Sequence, residues 1–365
     1  MNAAAPADAR PLARALGAAS LGLALGALLL ARRGASAAVP GPAPRRRLPL
    51  APDDTGHGYT RRERARATDT IAHAVLGTDA AGNYSTTSAL QARRLYQAAA
   101  MLAASVLSDS ALEHYRGGFD NPGMFTPLAS AAVVLACSLR DAGRDAGSST
   151  SSQKRRAPAT MPYSTACAVG AAGLGFHVYN VLRRPGGLSW ANLFYAAPLG
   201  APAALLLAGV IGLAARPVAA GAPTLAGLPS GRALCGLAAF GLAGTSAEAA
   251  LLHFRGAFQH PAMWVPVTVP PVTAAMLASA ALPAAPGPRR LTNALLRVCT
   301  WLGIVGMGFH ARGIARQMGG WRNWSQNVLA GPPLPAPPSF SALALAGRAA
   351  LALRAMQASP QREAA

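Results

Sequence analysis

The chain has 365 residues, of which 52% are hydrophobic and only 13% are charged, about half the charged fraction of an ordinary soluble domain. Its 33 lysines and arginines outnumber 13 acidic residues, giving a formal net charge of +20. Because the basic residues flank apolar runs and do not form one face, the composition argues against nucleic-acid binding, against a disordered polybasic chain and against a soluble enzyme.

The first predicted element is an apolar segment within residues 1–31, preceded by Arg10 and Arg14 and followed by Arg32 and Arg33. We interpret it as a signal anchor, with a cleaved signal peptide as the alternative. Residues 32–94 follow as a polar loop rich in arginine and proline, with one short predicted helix around residues 59–76.

The rest of the chain consists of apolar spans, several of which contain no Asp, Glu, Lys or Arg over the length of about 20 residues that crosses a bilayer. They are rich in alanine and glycine, which let helices approach closely inside a membrane. The sequence therefore predicts an all-α, polytopic membrane helix bundle whose partner is the lipid bilayer. The predicted spans are residues 95–115, 124–140, 162–182, 196–215, 233–254, 263–283, 291–311 and 337–353.

An internal repeat organises these spans. Residues 114–127 match residues 253–266, with seven of fourteen positions identical, and the sequence Gly-Phe-His of residues 175–177 recurs at residues 308–310. Each repeat holds four spans, an even number, so both copies are predicted to have the same orientation in the membrane. The predicted units are repeat 1 (95–215), a linker (216–232), repeat 2 (233–353) and a polar tail (354–365).

Ionisable residues recur at equivalent positions near the ends of the apolar helices. Such residues are costly in a membrane and normally face the bundle interior, which makes them candidate functional residues. The set consists of the histidines His114, His177, His253 and His310, the arginines Arg116, Arg183, Arg255 and Arg316, and the acidic residues Asp109, Glu113 and Glu248, of which Glu113 has no counterpart in repeat 2.

Paired histidines on neighbouring helices are typical ligands of a b-type haem, and arginines beside them can bind its propionates. The same histidines can instead bond to a quinone and carry its proton. We therefore predict that the His and Arg residues bind haem b or quinone, and that the chain is a membrane electron-transfer subunit serving a peripheral oxidoreductase subunit.

Two other hypotheses remain open. Arginines on one side of a repeated bundle can receive the substrate of a small-anion transporter. Alternatively, the histidines and arginines only satisfy backbone carbonyls at helix ends, as in a non-catalytic membrane scaffold. No compact metal motif, phosphate loop or nucleophile elbow is present, so the sequence identifies neither a metal site nor a catalytic residue. The high alanine, glycine, arginine and proline content favours a bacterial inner membrane.

Overall fold

The computed structural model describes the backbone of residues 61–143, 160–283 and 290–363, and the side chains of residues 87–143, 160–283 and 290–357. The predicted signal anchor, residues 1–31, lies outside this part of the chain. The described chain is mostly helical, which confirms the predicted all-α class.

The described residues form ten α-helices, three of them preceded by a single 3-10 turn. The helices are α1 (Arg61–Arg116), α2 (Phe125–Ala142), α3 (Thr160–Leu182), α4 (Trp190–Tyr195), α5 (Gly200–Ala219), α6 (Ser230–Arg255), α7 (Val265–Ala281), α8 (Arg290–Ala315), α9 (Trp324–Ala330) and α10 (Pro338–Glu363). The 3-10 turns Pro122–Met124, Pro261–Trp264 and Gly320–Asn323 precede α2, α7 and α9. A short antiparallel pair, β1 (Thr224–Leu225) and β2 (Leu228–Pro229), connects α5 to α6.

The first and last long helices extend beyond the predicted spans. Residues 61–94 belong to α1, which corrects their assignment to a polar loop, and residues 354–363 continue α10 where the sequence predicted a polar tail. Both extensions are rich in alanine and arginine, which are strong helix formers. A search for apolar periods misses such segments because they are helical without being hydrophobic.

Six helical segments among the described residues are long and apolar enough to cross a membrane. They are Pro122–Ala142, Thr160–Leu182, Gly200–Ala219, Ser230–Arg255, Pro261–Ala281 and Arg290–Ala315. These segments support an integral membrane protein. The outer surface agrees with this interpretation, since large apolar side chains such as Met161 (77% exposed) and Phe240 (69% exposed) lie on it.

The two remaining predicted spans, 95–115 and 337–353, belong to α1 and α10, which are not among those six. Polar residues such as Asp109 and Arg348 lower their apolarity. Both helices lie in the middle of the bundle, where α1 packs on α2, α5 and α10, and α10 packs on α1, α6 and α8. Polar groups are tolerated there because protein, not lipid, surrounds the helix.

The same kinds of helix pair are in contact in each half of the chain. In the first half (α1–α5), α1 packs on α2 and α5, and α3 packs on α2 and α5. In the second half (α6–α10), α6 packs on α7 and α10, and α8 packs on α7 and α10. The main contact between the halves is that of α1 with α10.

Glycine allows close helix approach in each half. A Cβ atom on Gly170 of α3 would lie 2.5 Å from the backbone nitrogen of Leu206 in α5. A Cβ atom on Gly303 of α8 would lie 2.7 Å from the carbonyl oxygen of Pro337, at the start of α10. The backbones touch at both places, which is the packing expected where small residues bring membrane helices together.

The variant Gly303→Ala should therefore lose stability, because its new methyl group must push α8 away from α10. We expect the free energy of unfolding to fall by about 1–3 kcal/mol, the usual cost of overpacking. Unfolding by sodium dodecyl sulfate in mixed micelles measures it.

The matched control is Gly308→Ala in the same helix, where a Cβ atom would meet nothing within 4 Å. This variant should keep or slightly raise the stability, since alanine is the better helix former. Equal stability of the two variants would mean that α8 and α10 are not in backbone contact.

Candidate functional site

The candidate residues gather at one end of the bundle, which we call the motif face. Helices α1, α3, α6 and α8 end there, and α2, α5, α7 and α10 begin there. The short helices α4 and α9 lie in the connections on this face. The two halves meet on it, since the ring of Phe194 in α4 stacks on that of Phe254 in α6 at 5.8 Å.

His114 and His253 hold the helix hairpins on this face. His114 is in the last turn of α1, and its Nδ1 donates a hydrogen bond to the carbonyl oxygen of Met124 at 2.6 Å, just before α2. His253 in the last turn of α6 makes the same bond to Met263 at 2.9 Å, just before α7. Each imidazole ties the end of one helix to the start of the next.

His177 and His310 do the same for the longer connections. His177 of α3 donates from Nδ1 to the carbonyl oxygen of Pro198, which lies just before α5. His310 of α8 donates from Nδ1 to the carbonyl oxygen of Pro333 at 2.7 Å, before α10. All four predicted histidines are therefore half-buried and bonded through the same ring nitrogen.

These bonds fix the tautomer. A carbonyl oxygen only accepts, so each Nδ1 carries its hydrogen and the neutral ring has its lone pair on Nε2. Within the described part of the chain no hydrogen bond uses Nε2 of these histidines. The rings also come in pairs, because His114 lies within electrostatic range of His177, and His253 within that of His310.

An aromatic pair supports each hairpin turn. Phe119 and Phe258 occupy equivalent positions and have positive φ angles of 51° and 47°. The Phe119 ring stacks on Phe125 at 4.5 Å, and the Phe258 ring on Trp264 at 4.1 Å. The left-handed conformation is unfavourable for a residue with a side chain, so the stacked ring is the gain that offsets it.

Polar side chains that the sequence did not single out as site residues complete the turns. Asn121 accepts from the backbone nitrogen of Gly123 at 2.8 Å, and His260 accepts from that of Ala262 at 3.1 Å. Further along, Asn192 donates to the carbonyl oxygen of Gly187 at 2.7 Å and Asn327 to that of Gly320 at 2.8 Å. The recurrence of Asn192 as Asn327 in the repeat was the sequence signal that could have identified this pair.

The predicted arginines are all exposed on the motif face. Arg116 forms an ion pair with Glu113 at 2.5 Å, and the guanidinium of Arg183 lies 5.9 Å from the ring centre of Tyr179. Arg255 donates to the carbonyl oxygen of Phe194 at 2.9 Å and so joins α6 to α4 of the other half. Arg316 follows directly after the end of α8. The arginines remain accessible to an anionic group.

Two of the acidic residues, Asp109 and Glu248, lie deeper than the arginines. Glu248 of α6 accepts a hydrogen bond from the backbone nitrogen of Gly200 at 2.9 Å, at the first residue of α5. A carboxylate stabilises a helix start because it satisfies a free N–H group and the positive end of the helix dipole. Asp109 of α1 lies within electrostatic range of Glu248, Glu113 and Arg116. The three predicted acidic residues are thus brought into one region.

Among the described residues, no group of three or more His, Cys, Asp or Glu side chains is placed to hold a metal ion. The cysteines Cys137, Cys167, Cys235 and Cys299 are free thiols. Comparison with known proteins finds no matching family model, no matching curated protein and no matching solved structure.

The histidine bonds predict a difference between two substitutions at one position. Asparagine places an N–H donor where the histidine has Nδ1, so His310→Asn should keep the bond to Pro333 and retain the wild-type stability. His310→Ala should lose about 0.5–1.5 kcal/mol, the net contribution of a hydrogen bond. Unfolding in mixed micelles compares them, and equal losses would show that the bond does not stabilise the fold.

The turn at Phe119 predicts an unusual order of stabilities. Phe119→Ala loses the stacked ring but keeps the left-handed conformation, whereas Phe119→Gly loses the ring and removes the backbone cost. We expect the glycine variant to be more stable than the alanine variant by about 1 kcal/mol. The same unfolding assay tests this, and an alanine variant as stable as the glycine variant would contradict a positive φ at this position.

Proposed function

We propose that this chain is an integral membrane electron-transfer subunit that binds a quinone or a b-type haem at the paired histidines of the motif face. The observation that supports it most is the shared Nδ1 bond of four equivalent histidines, which leaves Nε2 as the atom that can bind a cofactor. Histidines that ligate a metal are commonly oriented by such a bond from the other ring nitrogen.

We further propose that the bundle consists of two parallel copies of a four-helix unit. The recurrence of helix contacts, histidine bonds and close glycine contacts in both halves supports this. Each unit then carries one histidine pair, His114 with His177 or His253 with His310. With an even number of spans in each unit, the two pairs face the same side of the membrane.

The residues fit a haem in part. Each half offers two Nε2 atoms, the number of axial ligands a six-coordinate haem takes, and the exposed arginines can bind carboxylate groups. When bound, a haem supplies one-electron transfer. Against haem, His114 and His253 are in the last turns of α1 and α6, close to the helix ends. This is a shallow position for a ligand of so large a ring.

A quinone fits the position better. Its headgroup lies near the ends of membrane helices, at the level where these histidines are half-buried. The neutral Nε2 is an acceptor, so it can take a hydrogen bond from the hydroxyl of a quinol and then its proton. Asp109 and Glu248 lie deeper in α1 and α6, where each can exchange protons with the site.

The remaining parts of the proposal are a partner and a location. The sequence shows no soluble-type catalytic centre, so we propose that a partner supplies one. Electrons would pass to or from a peripheral oxidoreductase subunit docked on one membrane face. We also propose a bacterial inner membrane as the location, on the basis of the high alanine, glycine, arginine and proline content. The peripheral partner rests on the electron-transfer proposal.

One observation favours a second candidate, a small-anion transporter. An open cavity of about 410 Å³ on the motif face is lined by Asn180, Arg183, Arg184 and Ala197. Arg184 donates to the carbonyl oxygen of Tyr195 at 3.1 Å, which holds its guanidinium at this cavity. Two arginines beside an amide make a plausible anion-binding group.

Asparagine variants separate cofactor binding from the structural role of the histidines. His177→Asn and His310→Asn keep the Nδ1-type donor but remove Nε2, so the fold should survive while the cofactor is lost. Oxidised and dithionite-reduced absorption spectra detect haem, and solvent extraction with chromatography detects quinone. We expect wild-type protein, expressed with haem supplied, to carry one of the two cofactors. Each single variant should lose about half of it, because the other histidine pair is intact, and the double variant should carry at most about a tenth as much.

The matched control is His260→Asn, which introduces the residue that the first half has at the equivalent position, Asn121. It keeps the turn-capping acceptor and should retain the cofactor in full. Wild-type protein without haem or quinone, or folded His310→Asn protein with undiminished cofactor, would overturn the proposal. Loss of anion uptake in Arg183→Gln vesicles, with no cofactor in the wild type, would establish the transporter.

A further inference from the structure

Far from the motif face, two central helices bring arginines to the same level. The hydroxyl oxygens of Ser105 in α1 and Ser339 in α10 are 3.1 Å apart. Helices α1 and α10 are antiparallel. Arg94 is eleven residues before Ser105, and residue 350 is eleven residues after Ser339, so Arg94 lies opposite residue 350. Arg94 and Arg348 are thus at nearly the same height.

A third arginine joins them from α8. A Cβ atom on Gly347 in α10 would lie 2.9 Å from a methyl carbon of Leu296 in α8. Arg348 and Arg297 are the next residues along these helices. The Arg348 guanidinium interacts electrostatically with those of both Arg94 and Arg297, so the three cations form one cluster, which we call the arginine triad.

The triad has no acidic partner among the described side chains. The acidic residues with described side chains are Asp109, Glu113, Asp120, Asp141 and Glu248. Four of them belong to the motif face, and Asp141 pairs with Arg140 at 3.0 Å at the end of α2. Like charges held together repel each other, and a bound anion relieves that repulsion.

Helix packing does not account for the triad. At the offsets of the internal repeat, the positions equivalent to Arg94, Arg297 and Arg348 hold Ala233, Ser164 and Leu213. The other copy therefore has no cation at these three positions, although Arg232 is the residue next to Ala233.

The surroundings indicate a lipid. Arg297 lies seven residues into α8, about 10 Å along the helix axis from its start. Trp301 and Ile304 share its helix side at spacings of four and seven residues, and they are 65% and 51% exposed. An apolar stripe thus leads from the cations toward the middle of the bilayer, along which an acyl chain can lie.

We propose that the arginine triad binds the phosphate of an anionic phospholipid, whose acyl chain packs along Trp301 and Ile304. Guanidinium groups bind phosphate oxygens in a bidentate manner, and basic pockets between membrane helices are a known kind of lipid headgroup site. The site joins α1, α8 and α10, and it is independent of the histidine pairs.

Lipid retention by the full-length protein tests the proposal. Wild-type protein and the variants Arg94→Gln, Arg297→Gln and Arg348→Gln are purified from vesicles of phosphatidylglycerol and phosphatidylethanolamine, and native mass spectrometry counts the bound lipids. We expect wild type to retain phosphatidylglycerol preferentially and each variant to retain about fivefold less. The control is Arg93→Gln, which removes the neighbouring exposed arginine and should retain lipid as wild type does.

Several outcomes would overturn the proposal. One is equal phosphatidylglycerol retention in Arg297→Gln and Arg93→Gln protein, and another is no preference over phosphatidylethanolamine in the wild type. Displacement of the lipid by millimolar inorganic phosphate would assign the site to the free anion. If Arg348→Gln does not fold, the exposed Arg297 still provides the test, because its side chain is not part of the core.

Discussion

The motif face depends on one requirement, that the backbone carbonyls freed where helices break near a membrane must find donors. The chain meets it with side chains from the preceding helix or from the connection itself. His114 and His253 supply the donor for the hairpins, and Asn192 and Asn327 supply it within the longer connections. The connections are thereby held in one shape, and the histidine Nε2 atoms are held with them. A structural role and the proposed cofactor role are therefore compatible at these positions, since the same bond that stabilises the turn orients the ring.

The internal repeat made much of this site predictable. Repetition within one chain marks the positions that the unit requires, and it selected all four histidines before any contact was known. It did not reveal the partner of each Nδ1, because Met124 and Pro198 contribute carbonyl oxygens and any residue type can do so. The arginine triad could not be predicted from the sequence for another reason. Arg94 and Arg348 are far apart in the sequence, and only the packing of α1 on α10 brings them together.

The two central helices explain why apolarity alone does not identify every helix of the bundle. Helices that face lipid must be apolar, and the six apolar helices were predicted from composition, although α5 among them is mostly buried. Helices α1 and α10 face protein on most sides, so Ser105 can bond to Ser339 and charged residues are accommodated. The low hydropathy of an inner helix indicates its position in the bundle, not a failure to enter it. The polar extension of α1 before residue 95 was missed because it is helical without being apolar.

The bond from Gly200 to Glu248 has a consequence for biosynthesis. Helix α5 belongs to the half that is made first, yet the carboxylate that caps its start comes from α6, which is made afterwards. Until α6 arrives, the first N–H group of α5 lacks its acceptor, and a bare glycine stands where the carboxylate will sit. The start of α5 in the early half is therefore completed by a side chain of the later half, so the two halves depend on each other at this place.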